Sequence, residues 1–130
     1  MPDLDVIPTP MGADPKLPVL PVAVNMDPIH CNTNGNNGEM EACAALDMAA
    51  AFKDLNSAVA KRWAGADEKT RLLLANAEAS WLRAAQDLCR WDADANRGGS
   101  LTRLTVPYCM ADLARRQTQV ISKFRDEGNG

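Results

Sequence analysis

Residues 48–63, MAAAFKDLNSAVAKRW, decide the fold class of this chain. Large apolar side chains recur there at spacings of four, three, four and four residues, which follow one face of an α-helix. They are Met48, Phe52, Leu55, Val59 and Trp63. Upstream, Asn36 and Glu39 have the spacing of a capping box, and downstream Gly65 is a typical helix stop. The sequence therefore predicts a long first helix between Asn36 and Gly65.

Two more helices are predicted downstream. Asp67 can cap the second, whose apolar positions are Leu74, Ala77, Trp81, Ala84, Leu88 and Trp91, and residues 96–100 (NRGGS) break it. The third is expected to start near Pro107, because proline suits the first turn of a helix. Its apolar face is predicted to contain Met110, Leu113, Gln117, Val120 or Ile121, and Phe124. Leu101–Val106 is the one candidate for a short extended piece.

These patterns predict an all-α fold, an antiparallel bundle of three main helices. The turn between helices 1 and 2 is about three residues long. The connection between helices 2 and 3, over 92–107, is expected to span about twelve residues or more, and loops of that length are often functional.

Proline divides the chain into regions. Seven of the eight prolines lie at or before Pro28, so residues 1–28 are predicted to be a Pro-rich linker or extended segment. Residues 29–126 are predicted to form the helical domain, and 127–130 a frayed tail. An alternative is that the apolar stretch Leu17–Val24 packs in a groove of the domain.

Charge and hydropathy exclude several classes of function. The net charge of −3 argues against nucleic acid or an anionic membrane surface as partner. No apolar run approaches the roughly 18 residues of a spanning helix. Gly98-Gly99 lacks the strand-to-helix context and the lysine of a phosphate-binding loop, and no cofactor is expected.

The four cysteines, Cys31, Cys43, Cys89 and Cys109, fall at one end of the predicted bundle. An even count clustered in a small helical domain favours two disulfides and an oxidising compartment. We favour Cys31–Cys43 with Cys89–Cys109, because each bond closes a short loop beside a helix end; Cys43–Cys89 with Cys31–Cys109 is the alternative. The spacings do not suit a zinc knuckle, and His30 is the only histidine, so neither a metal site nor a catalytic residue is expected.

A set of motifs extends over about residues 31–124. It consists of Cys31, then residues 39–44 (EMEACA), Leu55-Asn56, Trp81 with Cys89 eight residues later, Gly98-Gly99-Ser100, and Cys109 with Arg116 seven residues later. Together these motifs resemble the LprI-like family of bacterial envelope proteins, whose named member is described as a lysozyme inhibitor. Where the family usually has glutamine three residues before the tryptophan, this chain has Glu78.

The resemblance implies a periplasmic or secreted, disulfide-bonded helical domain that binds a peptidoglycan hydrolase and is not itself an enzyme. A signal peptide or lipid anchor is then expected to be absent from this chain. The alternatives are an immunity protein against one specific injected toxin and a structural interaction module of the envelope.

We expect the partner to bind at the disulfide-bonded end, around the connection between helices 2 and 3. The predicted partner-binding residues are Asp92, Asp94, Arg97, Gly98, Gly99, Ser100 and Arg103. The arginines suit a cleft lined by catalytic carboxylates, whereas the acidic side chains suit a basic protein surface.

Overall fold

The computed structural model describes residues 30–97, Gly99 and 102–124 of the chain. Within them it contains three α-helices, α1 (Asn37–Ala64), α2 (Glu68–Ala93) and α3 (Thr102–Lys123), with a 3₁₀ turn at Asp94–Asn96. The all-α prediction is confirmed, and no strand occurs in this part of the chain. The predicted segments 1–28 and 127–130 lie outside the described residues.

The helix ends follow the capping signals in the sequence. Asn36 Oδ1 accepts a hydrogen bond from the Glu39 N–H at 2.9 Å, and Glu39 Oε1 accepts one from the Asn36 N–H at 3.2 Å. This capping box satisfies two amides at the start of α1. Gly65 ends the helix, and Asp67 accepts from the Thr70 N–H at 2.8 Å to begin α2. The turn between α1 and α2 is therefore as short as predicted.

Contacts between the helices define an up-down-up bundle. Phe52 of α1 packs on Trp81 of α2, with ring centroids 6.0 Å apart. Arg103 near the start of α3 reaches Glu41 near the start of α1 at 3.5 Å, whereas Arg62 near the end of α1 donates to the carbonyl of Ile121 at 2.9 Å. Consecutive helices are therefore antiparallel, and α1 and α3 run parallel. These two share the most extensive interface.

The core confirms the predicted apolar face of α1. Phe52, Leu55 and Val59 are almost completely buried, and Met48 packs against them. From α3 they meet the small side chains of Ala111 and Ala114, which allow the two backbones to approach closely. The wider core cluster also contains Ala51, Ala85, Cys89 and Met110.

The predicted apolar face of α2 is confirmed only in part, since Leu74 and Trp81 pack against the core and the other four residues do not. The buried residues of this helix are Glu78, Ala85, Cys89 and Ala93. Ala77, Ala84, Leu88 and Trp91, which the pattern assigned to the core, are exposed. Cys89 lies on the inward side of α2, where it is bonded to Cys109 of α3. Trp81 is half-buried at the edge of the core.

The predicted start of α3 is also wrong. The helix already begins at Thr102, so most of the candidate extended piece is helical and Pro107 lies inside the helix. Val106, in the part of the helix before the proline, packs against the core. Met110 and Leu113 face inward as predicted, but Phe124 at the end of the face is 66 % exposed.

Glu78 is the one buried charged side chain among the described residues. Its Oε1 accepts a hydrogen bond from Gln117 Nε2 at 2.9 Å, and its Oε2 has no hydrogen-bond partner. Burial raises the pKa of the Glu78 carboxyl, and the Gln117 hydrogen bond opposes that rise only in part. The core of the bundle thus contains a carboxyl group whose ionised form would receive only one hydrogen bond in place of its lost hydration.

Candidate partner-binding end of the bundle

Two disulfides close the end of the bundle where α1 begins, α2 ends and α3 begins, which we call the disulfide end. Cys31 is bonded to Cys43 with the Cα atoms 4.6 Å apart, and Cys89 to Cys109 with the Cα atoms 5.6 Å apart. This is the pairing that the sequence favoured, and no cysteine is left free. One bond fastens the segment before α1 to that helix. The other ties the last turns of α2 to the first turns of α3.

The connection between α2 and α3 is shorter than predicted. It covers residues 94–101, and its first part is the 3₁₀ turn. The Arg97 N–H donates to the Asp94 carbonyl at 3.1 Å, and the Gly99 N–H donates to the Asn96 carbonyl at 2.8 Å. Arg103, predicted to lie in a loop, is instead in the first turn of α3, because the helix starts early. The described part of the connection is therefore held by local backbone hydrogen bonds.

Five of the seven predicted partner-binding residues lie within the described part of the chain. Asp92 lies in the last turn of α2, Asp94 and Arg97 belong to the connection, and Arg103 lies in the first turn of α3. All four side chains are exposed. Gly99 is described and exposed, whereas Gly98 and Ser100 lie outside the described residues.

Ion pairs hold both arginines at this end. Arg97 Nη2 lies 3.0 Å from Asp94 Oδ2, and Arg103 Nη1 lies 3.5 Å from Glu41 Oε1. The arginine side chains remain 80 % and 77 % exposed, so each pair contributes no more than about 1 kcal/mol. A partner carboxylate can therefore replace either acidic side chain at little cost. Asp92 has no ion-pair partner among the described residues, and its charge is open to a cationic partner.

A shallow cleft of about 440 Å³ lies between the end of α2 and the start of α3. Its lining combines polar and apolar side chains: Asp92, Asn96, Leu104, Thr105, Tyr108 and Cys109. Tyr108 is 41 % exposed at this cleft. An aromatic wall beside a carboxylate is a surface that suits one projecting side chain of a protein partner.

The sequence pattern missed two apolar side chains near this end. Trp91 is 74 % exposed and Leu88 is 47 % exposed, although both were predicted to be core residues. The sequence does contain an indication of their exposure, because Ala85, Cys89 and Ala93 form a second face at helical spacing that could point inward instead. This is the face that carries the Cys89–Cys109 bond and points inward.

The described residues contain no cluster of three or more histidine, cysteine, aspartate or glutamate side chains that could hold a metal ion. Among the helices of the same residues, none is long and apolar enough to cross a membrane. Since all four cysteines are in disulfides, none offers a thiolate for chemistry.

The comparisons with known proteins give one positive result. The family model described as "Lysozyme inhibitor LprI" matches residues 30–120. This range contains both disulfides, α1, α2 and most of α3. Searches of curated proteins and of solved structures returned no significant match.

Proposed function

The chain belongs to the LprI family of lysozyme inhibitors, and from that premise we propose that it is a non-enzymatic protein that binds a lysozyme-like cell-wall hydrolase through the disulfide end. The family consists of inhibitors, which supports a protein partner and a role without catalysis. The two disulfides favour an oxidising compartment outside the cytoplasm.

The observation that carries the proposal is the family match, because it spans the whole disulfide end. Physical reasoning supports the location. The Cys89–Cys109 bond fixes the ends of the turn before a partner arrives, so less conformational entropy is lost on binding. Arg97 is exposed in this turn and Arg103 in the first turn of α3, where a hydrolase cleft with catalytic carboxylates can accept them.

The test is the lysis of a peptidoglycan suspension by several lysozyme types, with and without the protein. Wild type is expected to slow lysis by at least one of them. The double variant Arg97→Ala/Arg103→Ala is expected to inhibit at least tenfold less well, which corresponds to about 1.4 kcal/mol of binding free energy. Lys61→Ala is the control, because Lys61 is an exposed basic residue in the last turn of α1, at the other end of the bundle.

Each outcome has a defined meaning. If wild type slows none of the lysozymes, general inhibition is wrong, and an immunity protein against one cognate toxin becomes the better hypothesis. If wild type and the double variant inhibit equally, the arginines do not contact the target. Asp92→Asn/Asp94→Asn then tests the acidic side chains, which would meet a basic partner surface.

A second candidate function is an interaction module of the bacterial envelope. The exposure of Trp91 favours it, since large apolar side chains on the surface of a small domain often mark a binding site. Retained lysozyme inhibition by Trp91→Ala, together with loss of another protein contact, would separate the two functions.

A further inference from the structure

The outer face of α2 carries apolar side chains that no described element covers. Seven residues at spacings of four, three, four, four, three and four follow one side of the helix and its 3₁₀ extension, and all are exposed: Leu73, Ala77, Ser80, Ala84, Leu88, Trp91 and Ala95. We call them the outer face of α2. Apolar residues at alternating spacings of three and four are typical of a helix that packs against another helix.

The residues of this face occur in pairs at equal distances before and after Ala84. Leu88 and Ser80 lie four residues on either side of it, and Trp91 and Ala77 lie seven residues on either side. In each pair one side chain is large and the other is small. At the ends of the face, Leu73 and Ala95 repeat the relation.

We propose that the outer face of α2 is the interface of a homodimer, in which two α2 helices pack antiparallel with Ala84 on the two-fold axis. A two-fold axis brings residue i of one copy to residue j of the other, and j to i. Trp91 then meets Ala77 of the partner subunit twice, and Leu88 meets Ser80 of the partner subunit twice. Each large side chain fills the space above a small one, which is how packed helix layers interdigitate. A partner other than a second copy does not require this symmetry.

Charges beside the outer face fit the same register. Arg83 and Asp87 lie one helical turn apart on the same flank, and both are exposed. With a rise of 1.5 Å per residue and the axis at Ala84, Arg83 lies within about 3 Å of the height of the partner subunit's Asp87. The pairing occurs twice by symmetry. Within the described part of one copy Arg83 has no ion-pair partner, whereas Asp87 lies 3.6 Å from Arg90, so the partner subunit's Arg83 would share this exposed carboxylate with Arg90.

The size of the face sets the strength of the dimer. From Leu73 to Ala95 it is about 33 Å long, and a helix is about 10–12 Å wide. This gives roughly 330–400 Å² per copy, about half of what each partner buries in a standard specific interface. The dimer is therefore expected to be weak and reversible, with a dissociation constant of about 100 µM or more. The inference rests on this face alone and does not depend on the hydrolase.

Analytical ultracentrifugation of the full chain over about 1 µM to 1 mM tests the proposal, since dimers of this strength dissociate within this range. The average mass of wild type is expected to rise with concentration toward twice the 14.0 kDa of the monomer. Ala84→Arg is expected to raise the dissociation constant at least tenfold, because it places two like charges on the axis. Ala79→Arg is the matched control, since Ala79 is an exposed alanine of α2 outside the outer face. Circular dichroism verifies that both variants are folded.

A mixing experiment tests the position of the axis. Ala84→Arg and Ala84→Glu are each expected to be monomeric alone and to form a heterodimer when mixed, because residue 84 faces its own copy. Ala77→Trp is expected to weaken the dimer, because it places a second indole against the partner subunit's Trp91.

Three results would overturn the proposal. The first is a wild-type protein that stays monomeric over the whole range. The second is an equal effect of arginine at positions 79 and 84. The third is dimerisation only after residues 1–24 are removed, which would show that the chain's own apolar segment Leu17–Val24 occupies the face.

Discussion

Replacement of Glu78 by glutamine is expected to stabilise the protein at neutral pH. The Glu78 carboxyl is completely buried, and Oε2 has no hydrogen-bond partner. A buried polar atom without a hydrogen-bond partner lowers the free energy of unfolding by about 1–3 kcal/mol, and by more when the group is charged. Glutamine has nearly the same shape and keeps an oxygen that can accept from Gln117 Nε2. Its NH2 group replaces the unpartnered Oε2, so the expected gain comes from removing the buried charge alone. We expect a gain of about 1–3 kcal/mol, and each kcal/mol raises Tm by roughly 4–8 °C in a domain of this size.

The gain is expected to depend on pH. Because burial raises the pKa of Glu78 above its ordinary value near 4.5, the folded protein holds this proton at pH values where the unfolded chain has lost it. Wild-type stability therefore falls as pH rises from the unfolded pKa through the folded pKa. The glutamine variant has no such loss. The two proteins are expected to have similar stability near pH 4 and to differ fully once pH exceeds the folded pKa.

Urea unfolding at a series of pH values measures this difference. Glu41→Gln is the control, because Glu41 is a partly exposed carboxylate paired with Arg103. Loss of this ion pair is expected to lower the free energy of unfolding by less than about 1 kcal/mol. Two stability curves that stay parallel from pH 4 to pH 8 would refute the argument that Glu78 burial is costly. So would a glutamine variant that is less stable at neutral pH.

Two further predictions concern the core and the disulfide end. Trp81→Ala is expected to cost about 3 kcal/mol, the low end for a tryptophan, since Trp81 packs on Phe52 but remains half-exposed. Trp91→Ala, compared in the same urea titration at low protein concentration, is expected to change stability by no more than about 0.5 kcal/mol; equal losses would contradict the assignment of Trp81 to the core. Replacing Cys89 and Cys109 together by serine is expected to cost about 2–4 kcal/mol in chemical denaturation, and an unchanged midpoint would show that the bond does not stabilise the fold.

The elements set by local chemistry were predictable. The capping box at Asn36, the stop at Gly65 and the cap at Asp67 each depend on hydrogen bonds or backbone preferences within a few residues. The apolar face of α1 was also predictable, because one strong pattern there has no competitor. These features fix the helix count and the short turn between α1 and α2.

The orientation of α2 was not predictable from periodicity. Two apolar faces compete on this helix, and each carries large side chains: Leu74, Trp81 and Leu82 on the inner one, and Leu73, Leu88 and Trp91 on the outer one. The inner face includes Cys89, whose bond partner lies 20 positions away, and a helical period carries no information on that contact. Periodicity also gave no signal that a carboxyl group at position 78 would lie in the core. For the candidate site, the cysteine end could be located from sequence, but the cleft beside Tyr108 depends on the early start of α3.

The parallel pairing of α1 and α3 has a consequence for how the chain reaches its folded state. The most extensive helix interface joins segments about 60 residues apart in sequence, as between Arg62 and Ile121. Contacts of such separation form slowly, because a long loop must close before they contribute. Because synthesis begins at the N-terminus, α1 leaves the ribosome first, and its apolar face has no complete partner until α3 has also been synthesised. The interval before the last helix docks is therefore the time at which aggregation or capture by a chaperone competes with folding.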